Sequence, residues 1–505
     1  MNEQLALLPT YLTAHMSLAL AALVLGVLIS VPLGVLVTRY RRLEAPVLGI
    51  ASVLQTIPGL ALLAIMVPAL AALGARSIGY LPAVLGLFLY SLLPILRNTV
   101  AGLSGLDPAV LEAARGVGMT ERESLFRVEL PLALPVLIAG IRTSAVWTVG
   151  TATLSTPVGA PSLGNYIFGG LQTRNLSAVL VGCVASALLA LCVDGTIRML
   201  AQGIEQRSRI RLRIGLVLAA LLVAASLVPV VQAVRGRDRA AVTIGAKTFT
   251  ESYVLAKVLA QTVQRDTGLS TRTLESLGST VVFDALVAGQ IDAYVDYSGT
   301  LWTAALRKGD AHPDRRALLT QLGDELARKH GVLLLAALGF ENTYALAMRR
   351  SDADRLGVRR LSDLTRHASQ LRIGGDFELF LRSEWQAIVT RYGLSFAEQR
   401  SMDPSLMYEA IRTGQVDVIG AFSTDGRIAA YDLVVLEDDR SVIPPYDAVI
   451  LASARLQQKQ PRVLDSLRNL AGRIDAETMR KLNQLVDDKH QTPETAARTF
   501  TRVAP

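Results

Sequence analysis

Apolar positions divide the chain into two unlike parts. Over roughly the first 235 residues Leu, Ala, Val and Gly form long runs broken by short charged segments, whereas from about Asp238 onward a charge recurs every few positions. Runs of about 20 apolar residues are long enough to cross a bilayer core as a helix. Six such stretches fall at about 16–37, 47–70, 78–96, 132–154, 178–199 and 214–234. Pro58, Gly59 and Pro68 interrupt the second, which predicts a broken or re-entrant span. Later in the chain the pattern changes. Val242-Thr-Ile-Gly-Ala-Lys247 predicts a strand, and Thr248-Phe-Thr-Glu251 a capping box opening a helix with Val254, Leu255, Val258 and Leu259 on one face. The predicted class is an all-α polytopic membrane domain of about six transmembrane helices, followed by an α/β domain.

Composition agrees with this division. Of 505 residues 51% are hydrophobic and only 19% charged; the mean hydropathy of +0.38 excludes an ordinary soluble enzyme. The formal net charge of +8 sits largely on arginines beside the spans, so it implies no nucleic-acid partner. Those arginines orient the chain. Arg39, Arg41 and Arg42 follow the first span; Arg97, Arg115, Arg122 and Arg127 lie between the third and fourth; Arg198, Arg207, Arg209, Arg211 and Arg213 lie between the fifth and sixth. The positive-inside rule makes these loops cytoplasmic. The amino terminus and everything after span six then lie outside, in the periplasm or the cell exterior. Met1-Asn-Glu-Gln4 has no basic n-region, so the first span is expected to stay in the protein. The expected domains are 1–213, a transmembrane domain; 214–240, the last span and a linker; and 241–505, an extracytoplasmic domain. Arg142, inside the fourth span, either lines a cavity or pairs structurally. Asp194 reads as structural. His15, His312, His330, His367 and His490 are scattered without ligand spacing, so no metal site is expected.

Between the third and fourth spans runs Glu112-Ala-Ala-Arg-Gly-Val-Gly-Met-Thr-Glu-Arg-Glu-Ser-Leu-Phe-Arg-Val-Glu-Leu-Pro131. Asp107 and Pro108 suit a helix start, Gly118 ends or bends that helix, and Pro131 opens the next span, where a missing N–H costs least. The pattern of Glu-Ala-Ala, three residues, Gly, nine residues, an aliphatic residue, one residue and Leu-Pro resembles the EAA loop of ABC import permeases, with Val128 in place of the usual Ile. That resemblance implies that Glu112, Ala113, Ala114, Gly118 and Pro131 couple the membrane helices to a cytoplasmic ATPase. The sequence after the motif is similar to the glycine betaine and osmoprotectant branch, departing from it at Val158-Gly-Ala-Pro-Ser-Leu-Gly164. No phosphate loop accompanies the motif: Gly245-Ala-Lys-Thr248 lacks the Gly before Lys, and Ala241 stands where the first Gly is required. The chain is therefore expected to be a transporter subunit rather than an enzyme. It should bind no cofactor itself, ATP and Mg belonging to a separate ATPase subunit, and two copies of it should pair with two such subunits.

The outer half contains an internal echo. Residues 285–300 (ALVAGQIDAYVDYSGT) and 410–425 (AIRTGQVDVIGAFSTD) share a helix end, a Gly-Gln pair at Gly289 and Gly414, an aspartate at Asp292 and Asp417, a strand, and a serine, Ser298 opposite Ser423. Two similar α/β lobes are predicted, with polar strand ends and helix starts facing a common crevice. Asp292 and Asp417 read as strand-start groups. Ile244-Gly-Ala-Lys-Thr-Phe-Thr-Glu251, Leu277-Gly-Ser-Thr280, residues 289–300, Asn342-Thr-Tyr344, and Leu436-Glu-Asp-Asp439 before Pro444-Pro-Tyr446 resemble, in order and spacing, the periplasmic-type binding proteins of the glycine betaine, choline and carnitine class. The resemblance covers almost all of this half. It implies two lobes, the second at about 349–440, joined by crossover strands near 344–348 and 446–451 and closing by hinge motion.

A quaternary ammonium offers no hydrogen-bond donor and is best held by aromatic faces, each contributing about 0.5–2 kcal/mol. Tyr297, Tyr344 and Tyr446 match family positions; Phe249, Phe377, Phe380 and Phe422 are further aromatic candidates. Thr248, Ser279 and Thr280 at helix starts, with Asn342, would suit a ligand carboxylate, and Ser423 and Thr424 hold the matching place in the second repeat. Taken together, the resemblances imply one chain supplying the permease and the substrate-binding domain of an ATP-driven ABC importer for quaternary ammonium compatible solutes such as glycine betaine or choline. Another betaine or amino-acid-like cargo such as ergothioneine is the alternative. A ligand-gated channel or sensory receptor would also fuse a bilobed domain to spans, but has no reason to carry an EAA-type loop.

Overall fold

Apolar runs without strand-like alternation become helices. The computed structural model of the protein describes residues 2–172, 175–234, 241–308, 315–376, 378–440, 442–443 and 445–503. It contains a helical unit, Met1–Phe168 with Ser177–Arg239, and an α/β unit that includes Ala240–Pro505. In the helical unit Leu7–Arg39, Tyr80–Ser104, Glu121–Val158, Leu176–Glu205 and Arg209–Pro229 are each long and apolar enough to span a membrane. The remaining span is a bent pair, Arg41–Thr56 and Gly59–Ala72, whose limbs meet at 101°. Pro58 accounts for the bend, because it disfavours helical backbone at the residue before it, and Ile57 is extended at φ −67°, ψ 127°. The Tyr90 hydroxyl donates to the Ile57 carbonyl that the break leaves open. Span two is thus broken where its prolines predict.

Small residues let spans one, three and four approach closely. A side chain at Gly34 would meet Thr99, and one at Gly140 would meet Asn98 and the Pro94 carbonyl. Arg142 makes two bonds to Asp194, Nε to Oδ1 at 2.8 Å and Nη2 to Oδ2 at 2.9 Å, tying span four to span five. Of the two roles open to Arg142, the structure displays the paired one. His15 is fully buried. The Leu163 N–H donates to its Nδ1 at 3.3 Å, so Nε2 carries the proton and donates to the Val149 carbonyl at 2.9 Å. Ser162, in the Pro-Ser departure from the family pattern, contacts the Thr156 hydroxyl and accepts the Gly164 N–H.

Among the described residues the α/β unit is built on two five-stranded sheets of identical plan. Its strands are β1 (Val242–Lys247), β2 (Thr271–Leu277), β3 (Ala293–Tyr297), β4 (Val332–Glu341), β5 (Tyr344–Arg349), β6 (Arg372–Gly375), β7 (Glu398–Ser401), β8 (Val418–Phe422), β9 (Leu433–Val435) and β10 (Asp447–Ser453). Lobe one has the order β2-β1-β3-β10-β4 and lobe two β7-β6-β8-β5-β9. In each, the first three strands are parallel and the fourth runs antiparallel to both neighbours. The chain passes from β4 in lobe one to β5 in lobe two and returns from β9 to β10. The crossings are therefore the connections before Tyr344 and before Asp447. The strands expected to cross near 344–348 and 446–451 each lie within one sheet, because a ladder strand must stay paired along its length.

Candidate functional site

Two regions of the molecule carry chemistry, one in each unit. In the helical unit Asp107 accepts the Ala109 N–H at 2.9 Å and caps the short helix Pro108–Gly116, with Pro108 in its first turn. Gly118, at φ +83°, ends it. Its N–H reaches the Arg115 carbonyl at 2.9 Å, and that of Met119 reaches Ala114 at 3.1 Å, a left-handed cap for which a side chain would cost about 1 kcal/mol. Glu112, Ala113 and Gly118 are exposed and Ala114 is buried. Val117 and Phe126 present apolar side chains that are 73% and 60% exposed.

The expectation that Pro131 opens the next span is corrected. Thr120 and Glu123 form a capping box there, Thr120 Oγ1 accepting the Glu123 N–H and Glu123 Oε2 accepting the Thr120 N–H. The helical run Glu121–Val158 therefore begins ahead of the proline. A π-helical turn, Leu125–Glu129, carries it into Leu130–Thr151, and near the start of that segment Pro131 has no N–H to lose.

In the α/β unit the strand ends bring rings together. Phe249 follows β1, Tyr297 ends β3, Tyr344 opens β5, Phe422 ends β8 and Tyr446 precedes β10. Phe249 lies 6.1 Å from Tyr297 and stacks on Phe422 at 6.4 Å, centroid to centroid. Tyr344 lies 4.9 Å from Phe422 and 6.0 Å from Tyr446, the latter edge to face at 77°. The five rings join the carboxyl-end edges of both sheets, where α/β sheets bind ligands. The Arg382 guanidinium sits 5.0 Å above the Tyr344 ring. Its side chain is 12% exposed and bonds Glu378 at 2.7 Å, while its Nε has no partner among the described residues. Burial alone would lower its pKa, but the neighbouring Tyr344, Tyr446, Glu378 and Glu384 raise it, so the charge is held. The Tyr344 hydroxyl donates to Asp376 at 3.0 Å, and that of Tyr446 donates to Glu384.

Beside the rings lies a buried polar knot centred on Glu251. Its Oε1 accepts the Tyr297 hydroxyl at 2.5 Å and Asn342 Nδ2 at 3.0 Å; its Oε2 accepts the Thr424 hydroxyl at 2.6 Å and Asn483 Nδ2 at 3.0 Å. Burial raises the Glu251 pKa despite four hydrogen bonds that lower it. Phe249, Glu251, Asn342, Phe422, Thr424 and Asn483 line one cavity. Within it Asn342 Oδ1 and Asn483 Oδ1 are buried without a partner among the described residues. Glu251 corrects the sequence reading. The helix begins at Thr250, after Phe249, with no side-chain cap. A carboxylate at capping-box spacing has been drawn into the interior by donors from both lobes.

Not every expected site residue joins this group. Ser423 gives its hydroxyl to the first crossing, accepting the Thr343 N–H at 3.0 Å and donating to the Glu341 carbonyl at 3.4 Å. Thr248 and Ser279 are half-buried and Thr280 is exposed at helix starts, and no bond joins them to the rings or to Glu251 among the described residues. Phe380 packs against Trp385 at 5.1 Å, inside lobe two. Phe377 lies outside the described residues. Glu251, Arg382 and Asn483 are additions to the sequence reading. Arg382 carries no motif signal, and Asn483 comes from the distant Ala476–Asp487 helix.

Comparison with known proteins matches each half of the chain to a family. Residues 18–206 match the family model "binding-protein-dependent transport system inner membrane component", and residues 240–502 match "substrate binding domain of ABC-type glycine betaine transport system". The chain is 30% identical over 496 residues to the ergothioneine transport permease/ergothioneine binding protein EgtU of Helicobacter pylori (strain G27), covering 95% of this chain and 86% of that one. Its permease half is 44% identical over 180 residues to the choline transport system permease protein OpuBB of Bacillus subtilis (strain 168), covering 36% of this chain and 80% of that protein. A crystal structure of a glycine betaine/carnitine/choline ABC transporter matches 52% of this chain and 98% of its own at 31% identity, with a TM-score of 0.47. The apolar helices and the inner-membrane family make this a multi-pass membrane protein, and its binding-domain family is extracytoplasmic. The chain belongs to the binding-protein-dependent ABC importers of the osmoprotectant family, as a permease fused to its own substrate-binding domain.

Proposed function

We propose that this importer takes up zwitterionic quaternary ammonium solutes, the betaines, and that the five-ring cluster beside Arg382 is where they bind. The single observation that carries this is the Tyr344 ring, which neighbours Phe422 and Tyr446 of the aromatic cluster and also the Arg382 guanidinium, 5.0 Å from its centroid. A trimethylammonium group would lie against the rings by cation–π attraction, and a carboxylate would take the Arg382 Nε, which has no partner among the described residues. That pairing favours a betaine over choline, which has no carboxylate. Within the betaines a second reading is supported by Asn342 Oδ1 and Asn483 Oδ1. These acceptors suit a ring N–H, which glycine betaine lacks and a histidine betaine such as ergothioneine has; the full-length relative named for ergothioneine points the same way.

Transport in this proposal is driven by a separate ATPase subunit docked on residues 108–118, with two copies of the chain and two ATPases per importer. The exposed Val117 and Phe126 would be covered there. Tethering the binding domain keeps its effective concentration over its own permease high.

The test is calorimetric titration of the full chain in nanodiscs with glycine betaine, carnitine, choline and ergothioneine. Tyr344→Ala is expected to weaken every ligand bound by at least about tenfold. Arg382→Met is expected to weaken the carboxylate-bearing ligands by about tenfold or more and to leave choline unchanged. Equal losses for choline and the betaines in Arg382→Met would sink the carboxylate assignment. A second measurement tests the coupling role: Gly118→Asp is expected to abolish ATP-dependent uptake while leaving solute binding intact.

A further inference from the structure

One ionic cluster built around a buried carboxylate belongs neither to the cleft nor to the consensus positions of the EAA-like motif. Arg39, the last residue of the Asn2–Arg39 helix, points Nη2 at both carboxylate oxygens of Glu129, 2.8 Å from each. The Ser124 hydroxyl donates to Glu129 Oε1 at 2.9 Å. Glu129 is 6% exposed and Ser124 7%. Glu129 closes the π-helical turn Leu125–Glu129, and the Leu130 N–H bonds back to the Leu125 carbonyl. Such turns are intrinsically less favourable than α-helix and gather at functional positions. In the motif, residue 129 is the one between the aliphatic position and Leu-Pro, for which no residue type is specified. The Arg39 side chain is 37% exposed, so the buried member is the Glu129 carboxylate, which without Arg39 would keep the Ser124 hydroxyl but lose this cation.

We infer that the Arg39–Glu129–Ser124 cluster is the joint through which movement of the ATPase-docking segment reaches span one, with Glu129 as a positioning residue for coupling. This rests on the docking role proposed for residues 108–118. The path is contiguous. The capping box at Thr120 fixes the start of a helical run that continues to Val158, so displacement at its cytoplasmic end is carried along it. Span one is held to that run by the ion pair and to span three by close packing at Gly34. Severing the ion pair leaves the docking segment able to move while span one is no longer compelled to follow.

The experiment uses the full chain assembled with its ATPase subunit in proteoliposomes, measuring solute uptake and ATP hydrolysis in the same vesicles. Glu129→Gln and Arg39→Gln are compared with wild type, together with the exchanged pair Arg39→Glu with Glu129→Arg. Each single variant is expected to assemble and to hydrolyse ATP within about twofold of wild type while moving about tenfold less solute per ATP. The exchanged pair is expected to regain most of that loss. Unchanged solute per ATP in both single variants overturns the inference. So does a proportional fall in uptake and hydrolysis, which is what a purely structural role would give, and so does an assembled exchanged pair that regains nothing. If the wild-type chain captures no ATPase subunit in mild detergent, the docking proposal fails instead, before any variant is compared.

Discussion

Lobe one and lobe two repeat a local unit hydrogen bond for hydrogen bond, yet differ in the charge around its aspartate. In each, a helix ends at a glycine in left-handed conformation, Gly289 at φ +65° and Gly414 at φ +73°. The next N–H, of Gln290 or Gln415, reaches back to Ala285 or Ala410 at 2.8 Å. Asp292 then accepts the Thr243 N–H of β1 at 2.8 Å, and Asp417 accepts the Arg372 N–H of β6 at 2.9 Å. The shared task is to supply a side-chain acceptor for a backbone N–H, which locks a parallel strand pair. Beyond it the lobes diverge. Arg372 bonds Asp417 at 2.9 and 3.0 Å, and Arg349 approaches at 3.4 Å. Among the described residues the ion pair at Asp292 is the longer one to Arg455, at 3.7 Å, with the charge of Lys459 a weaker neighbour. Burial raises the Asp292 pKa and prevails over its partners. Burial would raise that of Asp417 too, but the Arg372 hydrogen bonds and the charges of Arg372 and Arg349 outweigh it, and its pKa is lowered. One backbone geometry is therefore compatible with two electrostatic solutions.

The largest effect should come from breaking the charged version. Asp417→Ala removes the acceptor of the Arg372 N–H and the carboxylate that Arg372 and Arg349 share, leaving Arg349 on Asp352 and Arg372 on the Gly414 carbonyl, at an expected cost of about 2 kcal/mol to lobe two. Asp292→Asn keeps an acceptor oxygen and removes a poorly compensated buried charge, so lobe one should change by no more than about 0.5 kcal/mol. Lobe-resolved hydrogen exchange on the full-length protein separates the two. Comparable losses would mean that charge is not what distinguishes the lobes.

Acid sharpens the same contrast, with opposite signs. A carboxylate whose folded pKa is lowered contributes stability above its unfolded value of about 3.9 and loses it as pH falls through the folded value. One whose folded pKa is raised carries a penalty at neutral pH that is relieved as pH falls through that value. Between neutral pH and about pH 3, Asp417 should therefore weaken lobe two while Asp292 comes to favour lobe one. Exchange in β6 and β8 should rise before exchange in β1 and β3. The reverse order would show that other groups govern acid opening.

Much of this architecture was legible because it is periodic or local. Apolar runs located the spans, Pro58 located the break in the second, and the Gly-Gln-Asp echo announced two lobes of one plan. The rings at Phe249, Tyr297, Tyr344, Phe422 and Tyr446 lie at strand ends, which sequence can place. Glu251 was misread because spacing alone cannot distinguish a carboxylate that caps its own helix from one drawn inward by Tyr297, Asn342, Thr424 and Asn483. Two of those donors are far along the chain. Arg382 escaped for a similar reason: only the fold brings it over Tyr344. Pro131 misled because a π turn lets a helix run through a position that usually marks a helix start.

A smaller effect than that of Asp417→Ala returns to the symmetry itself, at the serine that ends each unit. Ser298 accepts the Asp447 N–H at 2.9 Å and donates to the Pro445 carbonyl at 2.9 Å, pinning the return crossing. Ser423 does the same for the outward crossing through Thr343 and Glu341. Each serine thus fastens the strand end of one lobe to the segment that leads to or from the other. Ala at either position leaves a backbone N–H without its acceptor, at about 1–2 kcal/mol. Because both crossings must deform together when the lobes separate, Ser298→Ala and Ser423→Ala should loosen closure by similar amounts, and the double variant by about their sum, provided the sites are independent. Solute affinity of the full chain should fall roughly threefold to tenfold in each single variant, with the rings untouched. If one serine alone carries the effect, the hinge has a dominant strand, and the likeness of the two lobes ends at their sheets.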